Sequence, residues 1–309
     1  MRATRTHAAA CALAVAFACA GVRASPAGVG PTDAPVDAYA DVAAAYWVEV
    51  DGRPLWAGRA DERRPMASLA KLMAALVAVE QGDLDAWAEV SAAAATETGT
   101  RIGLRRGERV ARRDLVLAAM VRSANDACRA LADAVGATID AGDPTRAFVA
   151  RMNARARTLG LADTHYANPC GHDDPMQYTS ARDLAMLSRA VLGQPELADA
   201  ARRQEVRFAT AAGRIVVARS TNALLAGLPG ARGLKTGTTP AAGRCLVVVV
   251  ERDGHRVLAV LLDAGERWWD GLALVELAFE ARPAAHDAPP GSTAPSTGRR
   301  PEPTVPPRP

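Results

Sequence analysis

The run RPMASLAK at positions 64–71 decides the fold of this chain. Residues 69–79 are apolar except Lys71, so a helix over this stretch must be buried on all sides. Ser68 lies three residues before Lys71, about one helical turn back, so the hydroxyl and the amine can meet. Pro65 and Ser68 also indicate that the helix begins here, where the first backbone N–H groups have no partner within the helix. The sequence therefore predicts a central helix that carries an amine inside the core.

This arrangement is typical of an activated nucleophile, because it combines a hydroxyl, a base within reach and a free backbone N–H for an oxyanion. The Lys71 amine can act as the base only when it is neutral, and burial in apolar surroundings lowers a lysine pKa. The alternative interpretation is a first-turn lysine that extends to water beside an ordinary N-cap serine. The scarcity of lysine in this chain favours the interpretation of Ser68 as an activated nucleophile. Of 37 lysines and arginines only Lys71 and Lys235 are lysine, and arginine cannot serve as a general base.

Both ends of the chain are predicted to lie outside the folded domain. Residues 1–24 have the basic start, short apolar stretch and small-residue end of a secretory signal, so we expect export to the periplasm; a lipoprotein signal at Cys19 is the alternative. Residues 25–42 are predicted to form a linker, and residues 283–309, with nine prolines, a disordered tail. No amphipathic helix follows the last folded segment, so we expect no stable membrane anchor. A net charge of +3 does not indicate nucleic acid as a partner.

The region between these ends, residues 43–282, is predicted to form one domain of the α+β class. Strand patterns at 46–58 and 245–262 predict hairpins near both ends, and helical patterns fill about residues 81–202. The other predicted elements are a strand at 214–218 and a last helix at 268–281. This order predicts an antiparallel sheet built from both ends of the chain, with an inserted helical subdomain.

The cysteines give no sign of a disulfide framework or a metal site. Three remain after removal of the signal, Cys128, Cys170 and Cys245, and we expect them to be small buried hydrophobic side chains. The cluster CGHDD at 170–174 is crowded into one predicted loop, with no second ligand pair at zinc-like spacing. We therefore expect neither a metal nor a cofactor.

Three short motifs follow one another along the chain: Ser68-x-x-Lys71, Ser123-Ala124-Asn125 and Lys235-Thr236-Gly237. Each alone has an ordinary interpretation: a helix cap, a polar helix junction, or a turn at a strand start. Together they are characteristic of penicillin-binding proteins and class A β-lactamases. Over roughly residues 45–280 the chain resembles the low-molecular-mass penicillin-binding proteins, the serine D-alanyl-D-alanine carboxypeptidases and endopeptidases. The resemblance implies the β-lactamase/transpeptidase-like fold.

The resemblance also implies a role for each residue of the first two motifs. Ser68 would be the nucleophile and Lys71 its base. Ser123 would relay a proton to the leaving amine. The Asn125 amide would hold a peptide carbonyl of the substrate.

The resemblance implies that the third motif lies on the strand along which the substrate binds. Lys235 and the hydroxyls of Thr236 and Thr238 would bind a substrate carboxylate, and the extended peptide would dock by β-augmentation. Gly237 would let the substrate approach. The Thr238 N–H would join the N–H of the nucleophile in the oxyanion hole.

The implied function is that of a serine-type peptidase acting on peptidoglycan stem peptides, with β-lactams as inhibitors. A class A-like β-lactamase is one alternative, but residues 109–195 contain no glutamate to activate a deacylating water. A non-catalytic β-lactam sensor is another, although all three motifs are intact. A Ser-His-Asp triad would have to use His165, His172, His255 or His286, none of which is needed once a lysine is the base.

The choice between carboxypeptidase and endopeptidase is left open by these residues. Both substrates present a carboxylate beside the scissile nitrogen. Two features favour the endopeptidase branch. One is the motif Ser220-Thr221-Asn222, where many carboxypeptidases carry an arginine before the asparagine, and the other is the missing C-terminal domain.

Overall fold

The computed structural model describes residues 35–281, so the predicted signal at 1–24 and the predicted tail at 283–309 lie outside the described residues. The described elements, in chain order, are β1 (Ala45–Val50), β2 (Arg53–Gly58), α1 (Ala70–Glu80), β3 (Trp87–Glu89), α2 (Ala92–Ala95), β4 (Arg109–Ala111), α3 (Arg112–Val121), α4 (Asn125–Gly136), α5 (Pro144–Thr158), α6 (Ala181–Leu192), α7 (Pro195–Ala201), β5 (Glu205–Ala209), β6 (Ile215–Arg219), α8 (Leu224–Gly227), β7 (Ala231–Thr239), β8 (Gly243–Arg252), β9 (His255–Leu262) and α9 (Arg267–Ala281).

A five-stranded antiparallel sheet in the order β2-β1-β9-β8-β7 joins both ends of the chain, which confirms the predicted α+β architecture. Its central strands are runs of valine and leucine because both faces of the sheet are covered. Along β8, Val247 and Val249 join the core cluster that contains α1, whereas Val248 and Val250 join the cluster that contains α9. The sheet is therefore the middle layer between two sets of helices.

Helix α1 is buried on every side, as the apolar run predicts: nine of its eleven residues, Lys71 among them, are buried. Its start differs from the prediction. The α-helix is preceded by a 3₁₀ turn over Ala67–Leu69, and the Ser68 side chain does not cap it. The chain enters this turn through Ala67 at φ +48, a left-handed conformation that is unusual for a residue other than glycine. The Ser68 hydroxyl is thereby left for contacts other than helix capping.

The segment 81–202 is mostly helical, as predicted, with two three-residue strands, β3 and β4, that pair with each other. Strands this short carry no readable alternation, which is why the sequence pattern missed them. Strand β5, which pairs with the predicted β6, was missed as well. The Lys-Thr-Gly motif lies within β7, which begins at Ala231, contains a register shift before Gly233 and leads into β8.

Residues 35–42, which we expected to belong to a linker, contact the domain. Val36 forms a bridge with Trp56 of β2, and the Tyr39 ring packs edge-on against the same indole. The buried Tyr46 hydroxyl donates to the Asp37 carboxylate over 2.9 Å. A buried hydroxyl needs such a partner, so this segment is held against the sheet.

The cysteine prediction was wrong for two of the three residues. Cys128 of α4 and Cys170, in the loop before α6, form a disulfide with a Cα–Cα distance of 5.9 Å, while Cys245 is a free buried thiol. An odd number of cysteines argues against a full framework but not against one bridge. Among residues 35–281, no helix has both the length and the apolar character needed to cross a membrane.

Candidate active site

The Ser68 hydroxyl and the Lys71 amine form the hydrogen-bonded pair that the spacing predicts, with Nζ 3.0 Å from Oγ. Lys71 is fully buried, and its Nζ also donates to the Cys170 carbonyl oxygen over 2.5 Å. Burial lowers the Lys71 pKa to about 7, with the Glu97 carboxylate acting weakly in the opposite direction. Near neutral pH a large share of this amine is therefore uncharged, with a lone pair able to take the serine proton.

The backbone around the nucleophile is held closely by two glycines. A Cβ on Gly171 would lie 2.0 Å from the Ala67 carbonyl oxygen, and a Cβ on Gly237 would lie 3.1 Å from the Ser68 nitrogen. The resemblance implied that Gly237 leaves room for substrate. The structure shows a further reason for glycine at this position. Any side chain there would push β7 away from the 3₁₀ turn Ala67–Leu69, called the nucleophile turn below. Within residues 35–281 the Ser68 N–H has no backbone acceptor, so it is free to donate to an oxyanion.

A second Ser–Lys pair joins the other two motifs. The Lys235 amine on β7 donates to the Ser123 hydroxyl over 2.8 Å and to the Thr236 carbonyl over 2.9 Å. Ser123 lies between α3 and α4, at the predicted helix junction, with a left-handed φ of +62, and its hydroxyl meets β7 at Lys235. Burial, followed by the charges of Lys71 and Arg267, holds the Lys235 pKa well below its usual value. An anionic group bound beside Lys235 would favour its charged form again.

Asn125 is placed at the start of α4, but its amide is engaged within the protein. Nδ2 donates to the Thr98 carbonyl over 2.6 Å, and the buried Oδ1 has no hydrogen-bond partner among the described residues. The predicted contact from this amide to a substrate carbonyl therefore requires that Nδ2 exchange its present acceptor. The role of Asn125 stays a prediction.

The two threonines of the third motif contact different neighbours. The Thr236 hydroxyl lies 2.8 Å from the Thr221 hydroxyl, which brings Ser220-Thr221-Asn222 next to β7. The Thr238 hydroxyl donates to the Gly237 carbonyl over 2.8 Å and accepts from Arg267 over 2.6 Å. Because β7 is an edge strand, its outer backbone groups are free to pair with an extended peptide.

Three residues at the site were missed by sequence reasoning. Arg267, the first residue of α9, donates to the Gly237 carbonyl and the Thr238 hydroxyl, so it places a second cation at the motif strand. The Cys170 carbonyl contacts Lys71, although the residue types around Cys170 suggest only a metal site. Glu97 lies outside the segment searched for a glutamate, yet its charge acts on Lys71. No sequence signal marks Arg267 or Glu97, because both are brought to the site by folding.

Each described histidine forms its hydrogen bond with a group other than Ser68 or Lys71. His165 Nδ1 lies 2.6 Å from the Met176 carbonyl, His172 Nε2 lies 2.8 Å from Glu97, and His255 Nδ1 lies 2.7 Å from Asp51. His286 lies outside the described residues. Across residues 35–281, His, Cys, Asp and Glu side chains form no group of three or more that could hold a metal ion.

Together, the two Ser–Lys pairs, the unpaired Ser68 N–H and the edge strand are the features of a serine acyl-transfer enzyme. Residues 32–266 match the family described as D-alanyl-D-alanine carboxypeptidase, and the chain belongs to this family.

Individual relatives agree with this membership. The carboxypeptidase DacB2 of Mycobacterium tuberculosis is 31% identical over 79% of this chain and 85% of its own length. The carboxypeptidase DacD of Salmonella typhimurium is 34% identical over 72% of this chain, and here the alignment spans only 58% of that relative. The crystal structure of the DD-transpeptidase from Streptomyces strain K15 superposes with a TM-score of 0.73 at 27% identity, covering 77% of this chain and 97% of the other.

Proposed function

We propose that this protein is a serine-type D-Ala-D-Ala peptidase that acts on the stem peptides of peptidoglycan through an acyl-enzyme at Ser68. The observation that carries the proposal is the buried Lys71 amine 3.0 Å from the Ser68 hydroxyl, with its pKa lowered to about 7. A nucleophile with its own base, beside an edge strand that can pair with a peptide, supports acyl transfer on an extended substrate.

The proposed reaction has two steps. Ser68 Oγ attacks the carbonyl carbon of the penultimate D-alanine while Lys71 takes the hydroxyl proton, and the Ser68 N–H stabilises the oxyanion. The C–N bond then breaks, and the proton held by Lys71 passes through Ser123, which is already hydrogen-bonded to Lys235, to the leaving nitrogen. Water then attacks the ester carbonyl carbon, its hydroxyl stays on the acyl group, the bond to Ser68 Oγ breaks, and its second proton restores the Ser68 hydroxyl.

The carboxylate of the substrate is proposed to bind beside β7. The resemblance implies that Lys235, Thr236 and Thr238 bind it, and Arg267 adds a guanidinium that already contacts Thr238. Arginine suits this role because its N–H groups match the geometry of a carboxylate. Arg267 also supplies the cation that Ser220-Thr221-Asn222 lacks, which weakens the preference for an endopeptidase drawn from that motif. We propose release of C-terminal D-alanine as the main reaction. The second candidate is cleavage of D-Ala cross-links, which Ser220-Thr221-Asn222 supports.

Purified muropeptides test this assignment directly. An uncross-linked pentapeptide and a cross-linked dimer are digested side by side, with Ser68→Ala as the inactive control. Loss of one D-alanine from the pentapeptide is expected. A wild-type enzyme that cleaves neither substrate, or a Ser68→Ala protein that still cleaves, would contradict the proposal.

A class A-like β-lactamase is the competing function, and the position of Glu97 argues against it. Its two carboxylate oxygens face His172 at 2.8 Å and Arg129 at 3.5 Å, so neither is reserved for a water at an acyl-serine. We expect β-lactams to acylate Ser68 and to leave slowly. Rapid, sustained hydrolysis of nitrocefin would restore the β-lactamase assignment.

We also propose that the enzyme works in the periplasm. The support is the signal-like composition of residues 1–24. Cell fractionation of the full chain tests this proposal: a protein that keeps residues 1–24 and stays in the cytoplasm would contradict it.

A further inference from the structure

The disulfide connects two parts of the active site that are distant in sequence. Cys128 is the fourth residue of α4, the helix that begins at Asn125, and Cys170 lies 42 residues later in the loop before α6. Both cysteines are buried, at 1% and 2% exposure. Helix α4 is itself held in place by Asp126, whose buried carboxylate accepts the Leu104 N–H over 3.0 Å. The bridge therefore ties the loop to a fixed helix.

The same residue that carries the bridge also contacts the general base. The Cys170 carbonyl oxygen accepts from Lys71 Nζ over 2.5 Å, while the same Nζ lies 3.0 Å from Ser68 Oγ. A neutral amine has two N–H donors and one lone pair, so an acceptor at a fixed position restricts the rotation of the amine. With one N–H on Cys170, the lone pair can be directed at the serine hydroxyl.

The loop has other attachments on both sides of residue 170. Before it, the Asn153 side chain of α5 accepts the Tyr166 N–H over 2.9 Å and donates to the Tyr166 carbonyl over 2.8 Å. His172 pairs with Glu97 over 2.8 Å, and Asp173 bonds the Thr239 hydroxyl over 2.5 Å. The Asn168 side chain accepts the N–H groups of Gly171 and His172, which shapes the loop without tying it to the rest of the domain. Loss of the bridge would leave the loop attached while its contact with Lys71 loosens.

We propose that the Cys128–Cys170 disulfide is a positioning device for the general base: it holds the Cys170 carbonyl against the Lys71 amine and so orients that amine towards Ser68. The proposal rests on the proposed function, since it takes Lys71 as the base of acylation. It assigns no direct contact with substrate to either cysteine.

The charged groups around Lys71 predict how the pH profile responds. Burial is the main cause of the lowered Lys71 pKa, and Glu97, which is paired with His172, acts in the opposite direction. The Lys71 charge in turn lowers the pKa of Lys235 on β7. When the loop loosens, water reaches the amine and the Lys71 pKa rises. The acidic limb of the acylation profile should therefore move to higher pH.

The test compares the double variant Cys128→Ala/Cys170→Ala with Cys245→Ala, which removes the buried free thiol and leaves the bridge intact. Acylation by a fluorescent penicillin is followed from pH 5 to 10, with separate determination of noncovalent affinity and of thermal stability. In the double variant we expect acylation to slow by about 10- to 100-fold at neutral pH, as for a catalytic group displaced by about 1 Å. Its acidic limb should lie at higher pH and its noncovalent affinity should change little. Cys245→Ala should behave as wild type.

Reduction of the disulfide in the wild-type protein gives an independent test of the proposal. Dithiothreitol supplies two electrons and two protons and ends as a cyclic disulfide, leaving two protein thiols. After removal of the reductant under anaerobic conditions, the protein should match the double variant, which should itself be insensitive to the treatment.

Two results would overturn the inference. One is a folded double variant with the wild-type rate, and the other is a slower variant whose acidic limb does not move, which would make the bridge purely structural. Failure of the wild-type protein to be acylated at any pH would instead overturn the proposed function.

Discussion

At the scale of single residues, the site depends on two lysines whose amines are buried in the core. Lys71 and Lys235 are 0% and 1% exposed, and each donates to one serine hydroxyl. Removing an amine from water disfavours its charged form, so burial converts an ordinary surface cation into a base that works near neutral pH. The cost of burying these amines is offset by their hydrogen bonds to hydroxyl and carbonyl oxygens.

Lys71→Arg should abolish most of the acylation activity, because a guanidinium cannot take the Ser68 proton. The expected loss is about 10²- to 10⁴-fold, as for other general bases. In the wild type, acylation below pH 7 should fall by roughly tenfold per pH unit, since the neutral fraction of the Lys71 amine falls at that rate. The measurement is the second-order rate of penicillin labelling from pH 5 to 9. A flat profile, or a Lys71→Arg protein with the wild-type rate, would show that another group is the base.

Arg267→Ala should weaken the use of substrates that carry a free carboxylate. Its guanidinium contacts the Thr238 hydroxyl and the Gly237 carbonyl, next to the proposed carboxylate site. Loss of one charge-assisted hydrogen bond costs about 1.5–3 kcal/mol, so kcat/KM for a D-Ala-D-Ala peptide should fall by about 10- to 100-fold. The matched control is a peptide with an amidated C-terminus, on which wild type and variant should be similarly poor. An equal fall on both peptides would assign Arg267 to the stability of β7 and not to substrate binding.

At the scale of elements, the nucleophile turn is wedged between the loop before α6 and strand β7. Gly171 and Gly237 approach the backbone of residues 67–68 from two sides, so the turn cannot shift without displacing one of them. The left-handed Ala67 is maintained by this packing. The position of the Ser68 N–H, the proposed oxyanion donor, therefore depends on the loop before α6 and on β7 as well as on α1.

Gly171→Ala and Gly213→Ala separate the effect of backbone strain from that of packing. Both glycines have positive φ, +89 and +83, but a Cβ at Gly171 meets the Ala67 carbonyl at 2.0 Å, whereas a Cβ at Gly213 meets nothing within 4 Å. Each substitution should cost about 1–2 kcal/mol for the left-handed backbone. Only Gly171→Ala should add a larger fall in melting temperature and slower penicillin acylation. Equal effects of the two substitutions would show that the loop can move away from the nucleophile turn at little cost.

At the scale of the whole molecule, the catalytic motifs depend on a sheet whose strands come from opposite ends of the chain. All six residues of β1 are buried, and β1 pairs with β2 on one side and with β9 on the other. None of the motif residues lies in β1 or β2. The sheet nevertheless positions β7, which contacts the nucleophile turn through Gly237.

Removal of residues 1–58 should therefore abolish penicillin labelling although every motif residue is retained. Loss of β1 and β2 exposes the edge of β9 and one part of the core, so the protein should unfold or aggregate. A protein that lacks only residues 1–34 is the control and should label as the full chain does. Size-exclusion chromatography and circular dichroism give the folding readout. Normal labelling of the shorter protein would show that the helical subdomain and the remaining strands fold without β1.

Local sequence determined the features that depend on residue type and short spacing. The buried helix, the Ser68–Lys71 pair, the helix junction at Ser123 and the two ends of the sheet all follow from patterns of apolar residues, turn residues and one-turn spacings. Such patterns are readable because helix and strand periodicities act over a few neighbouring residues. The resemblance implies that the three motifs meet at one site.

Only the tertiary structure decided which distant residues complete the site. Arg267, Glu97 and the Cys170 carbonyl come to the site from three other segments. The pairing of Cys128 with Cys170 could not be deduced from an odd number of cysteines. Contacts between segments far apart in sequence depend on how whole elements pack, and no local periodicity encodes them. The pKa of Lys71 also depends on the tertiary structure, because it is set by the burial that the assembled domain provides.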